Sequence, residues 1–366
     1  MTIRIFNPEH DIALASNIER FTAPHAGRQL RSDLCYLPAL WSNEGDVVIV
    51  DDIDFAESAY RRLKAERKPA VEFCTMEQIA HVLSTCTPSA IDPWGWDLAI
   101  RFQLLSAGVP ERVLPSKDAV QKIRLLSNRK CTTSILENVR KGIESKTCGK
   151  SLYVTDYHSF LERLQSNGDI VVKAPWSSSG RGVRYFQNGE QTENAMNWVS
   201  NVIRLQGGVM VEPLYNKVKD FGMEFRRDAK GKVHYLGLSL FQTQNGAYTG
   251  NLLVTEAVKR EIMSRYVSLE LLDEITAHLE KELGEMFSVL PVESAISDIR
   301  FGVDMMIVAK DDADGFLLHP CVEINLRRTM GHVALSLSPL DDIKEGNMAI
   351  TYDSKRYHLK LKYNYM

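Results

Sequence analysis

The segment VVKAPWSSSGRGVRYF, residues 171–186, ends a β-branched run with Lys173 and follows it with three serines and two glycines. Glycine allows tight turns and close backbone approach, and successive free N–H groups make a nest for an anion. With Lys173 as a fixed positive charge, Ser177, Ser178, Ser179, Gly180, Arg181 and Gly182 have the parts needed to clamp a polyphosphate. The same residues also suit a solvent-exposed hairpin turn. A second cluster lies further along the chain. Asp304 interrupts the apolar run 301–309, and Glu323 and Asn325 close the run HPCVEIN. Two apart on an extended strand, Glu323 and Asn325 share a face. Two carboxylates and an amide oxygen suit Mg²⁺, and an acid inside an apolar run is costly unless paired or metal-bound. Arg327-Arg328 follow at once, poised to hold a phosphoryl or carboxylate group bidentately.

Other chemistries lack their residues. A Walker loop needs G-x-x-x-x-G-K-[ST] between strand and helix. At the nearest approach, Gly142 to Gly149-Lys150-Ser151, six residues separate the glycines instead. There is no G-x-S-x-G elbow or other nucleophile signal. The chain has 44 Lys and Arg against 47 Asp and Glu, a net charge of −3. No global basic field is present to hold nucleic acid. No run approaches the ~18 apolar residues of a membrane span. The N-terminus reaches Glu9, His10 and Asp11 before a signal peptide's apolar core can build. Six scattered cysteines without a C-x-x-C pair read as reduced thiols of a cytoplasmic protein.

The elements that must position these residues read as α/β. At ~150 residues per domain, 366 residues predict two or three domains. Short β-branched runs at 2–6 and 46–50, alternating with helical spacing at 55–68 and 76–84, predict a doubly wound layer over the first 115 residues. DPWGWD at 92–97 punctuates it before helices over 98–107 and 117–139. Beyond 150, strands are expected at 151–154, 170–174, 183–186 and 208–212, with a helix over 192–205. A hairpin pairs 222–228 with 232–240, an amphipathic helix spans 267–286, and strands follow at 299–309 and 316–324. The tail 348–364 alternates like a hairpin, able to cap a sheet or to join a second copy in a homodimer. His10, Asp11, His25, Arg28 and Arg31, after the first strand, and Trp94, Trp96 and Asp97 are reasonable substrate contacts, since open α/β sheets bind ligands at strand carboxyl ends. They suit loop caps and packing equally well.

The order of strand Lys, Ser/Gly loop, V-E-x-L, E-x-R strand, then Asp … Glu-x-Asn-x-Arg resembles the ATP-grasp superfamily of carboxylate–amine ligases, over residues 120–335. The resemblance implies an N-terminal pre-ATP-grasp domain (1–115), a linker helix with the first grasp subdomain (116–212), and a second subdomain carrying the metal site (213–366). It implies ATP and Mg²⁺ as cofactors, and small-molecule carboxylate and amine substrates of amino-acid or peptide type. It further implies that Lys130 and Lys173 reach the phosphates and that the 177–182 loop closes over them. Glu212-Pro213-Leu214 would meet the adenine edge through backbone groups, and Asp220 the ribose. Arg226 would contact phosphate, and Asp304, Glu323 and Asn325 would hold magnesium. Arg327, or Arg328 after a one-residue shift, would steady an acyl phosphate. Two alternatives remain open: a phosphotransferase on the same fold, and an inactive nucleotide-binding regulatory protein.

Overall fold

The computed structural model describes residues 1–366 apart from 167, 178, 179, 181, 188, 190, 191, 245, 246, 293–295, 297, 312, 313 and 366. Strands β1 (Thr2–Ile5), β2 (Val47–Ile49), β3 (Glu72–Cys74) and β4 (Ala90–Pro93) form a parallel sheet ordered β3-β2-β1-β4. Helices α1 (His10–Ser16), α2 (His25–Asp33), α3 (Ile53–Arg62) and α4 (Ile79–Thr85) run between the strands, and α5 (Leu98–Ser106) follows β4. The strand order reverses beside β1, so the carboxyl ends of β1 and β4 border a natural ligand crevice. The strands β3 and β4 escape sequence pattern because they are three and four residues long. As edge strands they tolerate Glu72, Asp92 and Pro93.

The single helix expected over 117–139 is two, α6 (Lys117–Leu126) and α7 (Lys130–Arg140). At the break, Asn128 Oδ1 accepts the Lys130 N–H (2.9 Å), and the Arg129 N–H donates to the Pro175 carbonyl (3.1 Å). Backbone donors that would have continued the helix are drawn off to other partners.

Next come β5 (Leu152–Val154), α8 (Tyr157–Ser166), β6 (Ile170–Lys173), β7 (Val183–Phe186), α9 (Glu193–Gln206) and β8 (Val209–Pro213). The four strands form an antiparallel sheet ordered β5-β8-β6-β7, with Phe160, Val199 and Val202 of the two helices in its core.

The remaining chain builds two more sheets. Its elements are β9 (Lys217–Arg227), β10 (Val233–Ser239), β11 (Phe241–Gln244), β12 (Ala247–Leu253), α10 (Glu256–Ser264), α11 (Leu269–Met286), β13 (Ile299–Ala309), β14 (Phe316–Asn325), α12 (Met330–Leu337), β15 (Lys344–Tyr352) and β16 (Tyr357–Tyr365). One antiparallel sheet is ordered β10-β9-β13-β14, the other β11-β12-β15-β16. The C-terminal hairpin packs on its own chain: Leu359 and Leu361 join the core of Leu337 and Met348, and the Tyr363 hydroxyl donates to the Leu337 carbonyl. All six cysteines are free, and no described helix is long and apolar enough to cross a membrane.

Strand periodicity sorts β9 and β13 into two faces. Phe221, Met223, Phe225, Phe301, Val303 and Met305 bury against the α11 stripe of Leu272, Ile275, Leu279 and Leu283. Gly222, Glu224, Arg226, Arg300, Gly302 and Asp304 therefore fall on the opposite face. In β14 the register shifts by two residues, with Asp304 opposite Glu323 but Met306 opposite His319. Pro320, which cannot donate to a ladder, lies within that bulge. An even shift keeps His319 and Glu323 on the same face.

Candidate active site

Lys173 ends β6, and Glu212 lies nearly opposite on β8, where Val171 is its ladder partner. Lys173 Nζ and Glu212 Oε2 are 2.6 Å apart with both side chains about nine-tenths buried. Ser151 Oγ donates to the other Glu212 oxygen at 3.2 Å. The chain then turns back so that the Ala174 N–H donates to the Gly182 carbonyl (2.8 Å). A Cβ on Gly182 would sit 2.1 Å from Ser177 Oγ, so this close return requires glycine. Ser178, Ser179 and Arg181 lie outside the described residues.

The residue that ties this loop to the second cluster is Arg129, which sequence reasoning missed. Its Nη1 donates to the Ala174 carbonyl (2.5 Å) and Ser177 Oγ (2.6 Å). Its Nη2 donates to the Ser177 carbonyl (3.0 Å) and Glu323 Oε1 (2.6 Å). Lys130, expected here, is exposed at the start of α7. Adjacent basic residues were indistinguishable in sequence. The signal was Asn128, whose side chain breaks the helix and turns Arg129 inward.

Asp304, Glu323 and Asn325 are brought together. Asp304 faces Glu323 across the ladder, and Asn325 Nδ2 donates to Asp304 Oδ2 (3.1 Å). Burial, then the Glu323 and Glu224 carboxylates, push the Asp304 carboxyl up to about 8, against the pull of Arg327 and the Asn325 hydrogen bond. Negative charge is in excess here, which a divalent cation would relieve. Among the described residues no group of three or more His, Cys, Asp or Glu forms a metal cage. Magnesium needs none, since it takes one or two carboxylates plus substrate phosphates. The donor set fits that ion.

Glu224, part of the E-x-R pattern but given no role from sequence, is buried on the same face. It accepts from Thr329 Oγ1 (2.8 Å) and lies 2.9 Å from His332 Nδ1. A Cβ on Gly331 would stand 1.8 Å from its Oε1, so glycine at the start of α12 makes room for the carboxylate. His332 Nε2 is 3.2 Å from the Phe225 carbonyl, which only accepts, so Nε2 carries a proton.

The two consecutive arginines divide their work. Arg327 Nε donates to Asp11 Oδ2 (2.8 Å) and Nη2 to Asn325 Oδ1 (2.9 Å), which aims it at the carboxylate cluster. Arg328 turns the other way, donating to Asp92 (2.9 Å) and lying over the Trp41 ring at 4.5 Å. Asp11, read as a candidate substrate contact, positions Arg327 from α1.

Other expected residues are placed differently. The Leu214 N–H donates to the Asp169 carbonyl (2.9 Å), continuing the β6–β8 ladder one residue past Pro213, and so is not available to a base. Asp220 pairs with Lys217 (2.6 Å) and accepts from Thr243 (3.1 Å). Arg226 shares the site face but is pinned by Asp298 (2.8 Å). His10 and Asp97 bind each other (3.1 Å), Arg31 binds Glu9 (2.8 Å), and Arg28 donates to the Ala23 carbonyl (2.7 Å). Trp94 and Trp96 are core residues, and His25 is exposed.

His319 is a further residue that sequence did not single out. Buried beside Tyr215 and Gly149, it has no hydrogen-bond partner on either ring nitrogen among the described residues. Burial, then the Lys173 and Arg140 charges, hold its pKa down to about 3. Unfolded, it titrates near 6.5. Below that pH the unfolded chain binds a proton that the native state refuses, so stability is full above 6.5 and falls as pH drops toward 3. His319→Leu is expected to flatten the pH 7-to-5 decline in unfolding free energy, read by denaturant titration, by up to ~1.4 kcal/mol per pH unit. Parallel wild-type and variant curves would contradict the buried neutral ring.

No protein-family model matches the chain, and no curated protein matches it. Solved structures do. The biotin carboxylase domain of the Hydrogenobacter thermophilus 2-oxoglutarate carboxylase, complexed with MgADP, ADP and bicarbonate, is similar over 95% of this chain and 74% of its own, at 12% identity and a TM-score of 0.51. The Campylobacter jejuni biotin carboxylase–βγ-ATP complex is similar over 98% and 77%, at 11% identity and a TM-score of 0.50. An N5-carboxyaminoimidazole synthetase from Staphylococcus aureus, complexed with ADP, is similar over 96% and 82%, at 13% identity and a TM-score of 0.48. The chain has the ATP-grasp fold, so the resemblance read from its motifs is carried by its architecture as well.

Proposed function

We propose that this protein is an ATP- and Mg²⁺-dependent ligase joining a carboxylate to an amine, on amino-acid or peptide-like substrates. The observation that carries the reading is a convergence. Arg129 links the Ser177 loop to Glu323 across 194 positions of sequence, between the Lys173–Glu212 pair and the Asp304–Glu323–Asn325–Arg327 group. We divide the chain at 1–115, 116–212 and 213–366. The sheets support this division, since the strands of each fall within one segment to within a residue.

Bound ATP would supply the γ-phosphoryl group to the substrate carboxylate with ADP as leaving group, magnesium would neutralise the phosphoryl oxygens, and the amine would then displace phosphate from the acyl phosphate. The chain's own residues bind, orient and shield. Lys173 presents its ammonium to the phosphates, held in place by Glu212 and Ser151 behind it. Asp304, Glu323 and Asn325 would hold the ion. Arg129 keeps the loop folded onto the metal carboxylates, where it excludes water from an acyl phosphate. Arg327, fixed by Asp11 and Asn325, offers a preorganised guanidinium to the reacting carboxylate, so charge building on it meets donors that need not reorganise.

Thermal unfolding with ATP tests the reading. ATP at ~100 times its Kd should stabilise the fold by about 2.7 kcal/mol, with a shift that requires Mg²⁺. ADP release would then appear only with carboxylate and amine present together. No shift with ATP and Mg²⁺ would overturn the proposal.

A further inference from the structure

Where the first sheet meets β13, four arginines gather: Arg4, Arg226, Arg300 and Arg328. Arg226 and Arg300 stand directly opposite each other in the β9–β13 ladder, a like-charge pair that is destabilising by itself. Its compensation is incomplete. Asp298 takes Arg226 through both oxygens (2.9 and 2.8 Å) and Arg300 through one (3.0 Å). Asp92 is shared by Arg4 and Arg328, and Asp46 holds Arg4 at 3.0 Å. Among the described residues, four guanidiniums meet three carboxylates. Arg300 makes no hydrogen bond beyond that to Asp298 among the described residues. Burial and the Arg226 and Arg4 charges hold its pKa below the ordinary value even with Asp298 and Asp92 beside it.

This junction is continuous with the reaction site. Arg300 and Arg327 line one cleft, closed on its other side by Trp94 and Trp96. The β13–β14 ladder ends at Gly302 opposite Asn325, where the Arg327 N–H turns back onto the Asn325 carbonyl (2.7 Å) and the Arg328 N–H donates to the Trp94 carbonyl (2.8 Å), bringing this stretch against the end of β4. Arg300 lies four residues along β13 from Asp304, about 13 Å. That is beyond phosphates held at the metal carboxylates. Arg300, in the cleft, and Arg226, its partner across the β9–β13 ladder, remain 27% and 42% exposed by side chain.

We propose that the carboxylate substrate carries a second anionic group, a phosphate or a carboxylate, which binds between Arg300 and Arg226 while its reacting carboxylate faces Arg327. This rests on the ligase reading of the site. The guanidiniums, preset by Asp298, offer the paired donors such a group accepts bidentately, and the bound anion completes the charge balance of the junction.

Titration calorimetry with inorganic phosphate and with malonate, on protein saturated with MgADP so that the nucleotide site is filled, tests this. At least one anion should bind wild type, and Arg300→Ala or Arg226→Ala should weaken it about tenfold or more, the range for a lost charged hydrogen bond. Arg300→Lys should fall between. Response to phosphate alone identifies a phosphate ester, and to malonate alone a dicarboxylate. Absence of binding of either anion, or binding unchanged in both alanine variants, overturns the proposal. The variants' MgADP thermal shift reports the nucleotide site separately. Wild type without such a shift would overturn the ligase reading instead, and the anion titration would then be read without nucleotide.

Discussion

Replacing Glu323 with Gln is expected to abolish the magnesium-dependent part of ATP stabilisation, and all ADP release above background, in a chain that stays folded. Glutamine keeps the shape of the side chain, and its amide oxygen can still accept from Arg129 Nη2, now 2.6 Å from Glu323 Oε1. Arg129 is also anchored by the Ala174 and Ser177 carbonyls, so the loop keeps its tether. What is lost is charge. The ion would face one carboxylate and two neutral oxygens, and Asp304 would no longer feel the charge that helps to raise its pKa. Magnesium, which sheds water reluctantly, depends on such carboxylates. Melting curves with ATP, with and without Mg²⁺, decide the matter. A full Mg²⁺-dependent shift in Glu323→Gln would remove Glu323 from the metal site.

Lys173 requires a paired experiment. Lys173→Met alone leaves Glu212 buried with Ser151 as its one remaining side-chain partner among the described residues, and breaking a buried pair in this way costs about 3–5 kcal/mol of stability. A loss of ATP binding in that variant would be confounded by unfolding. Lys173→Met combined with Glu212→Gln removes both charges and should recover most of the stability. Its ATP affinity should remain about 1.5–3 kcal/mol weaker than wild type, the range for hydrogen bonds to a charged group. Denaturant unfolding and an ATP titration read the two quantities separately. A double variant with wild-type affinity would place Lys173 away from the phosphates. A single variant of unchanged stability would show that the pair is solvated.

The regularities visible in sequence were those with a short period. Strand alternation set Glu323 and Asn325 on one face, and the stripe from Leu271 to Leu283 announced α11. Edge strands β3 and β4 were too short to alternate, and the β11–β12 hairpin, in the stretch 241–253, went unread although Asn245-Gly246 is a two-residue hairpin signal. The N-terminal polar residues looked like one group of substrate contacts. In the fold they separate: Asp11 steers Arg327, His10 and Asp97 bind each other, and the tryptophans pack.

By itself the sequence determined which charges and donors were on offer and which strand neighbours share a face, because residue type decides charge and donor capacity and strand period decides the face. It could not decide between adjacent residues of one kind. Arg129 rather than Lys130 reaches Glu323, and Arg327 rather than Arg328 reaches Asn325, because a helix breaks at Asn128 and a ladder ends at Asn325. Each is an event of backbone hydrogen bonding to partners far along the chain, Pro175 in one case and Trp94 in the other. Only the tertiary structure holds those partners, and so it alone settles which guanidinium turns inward.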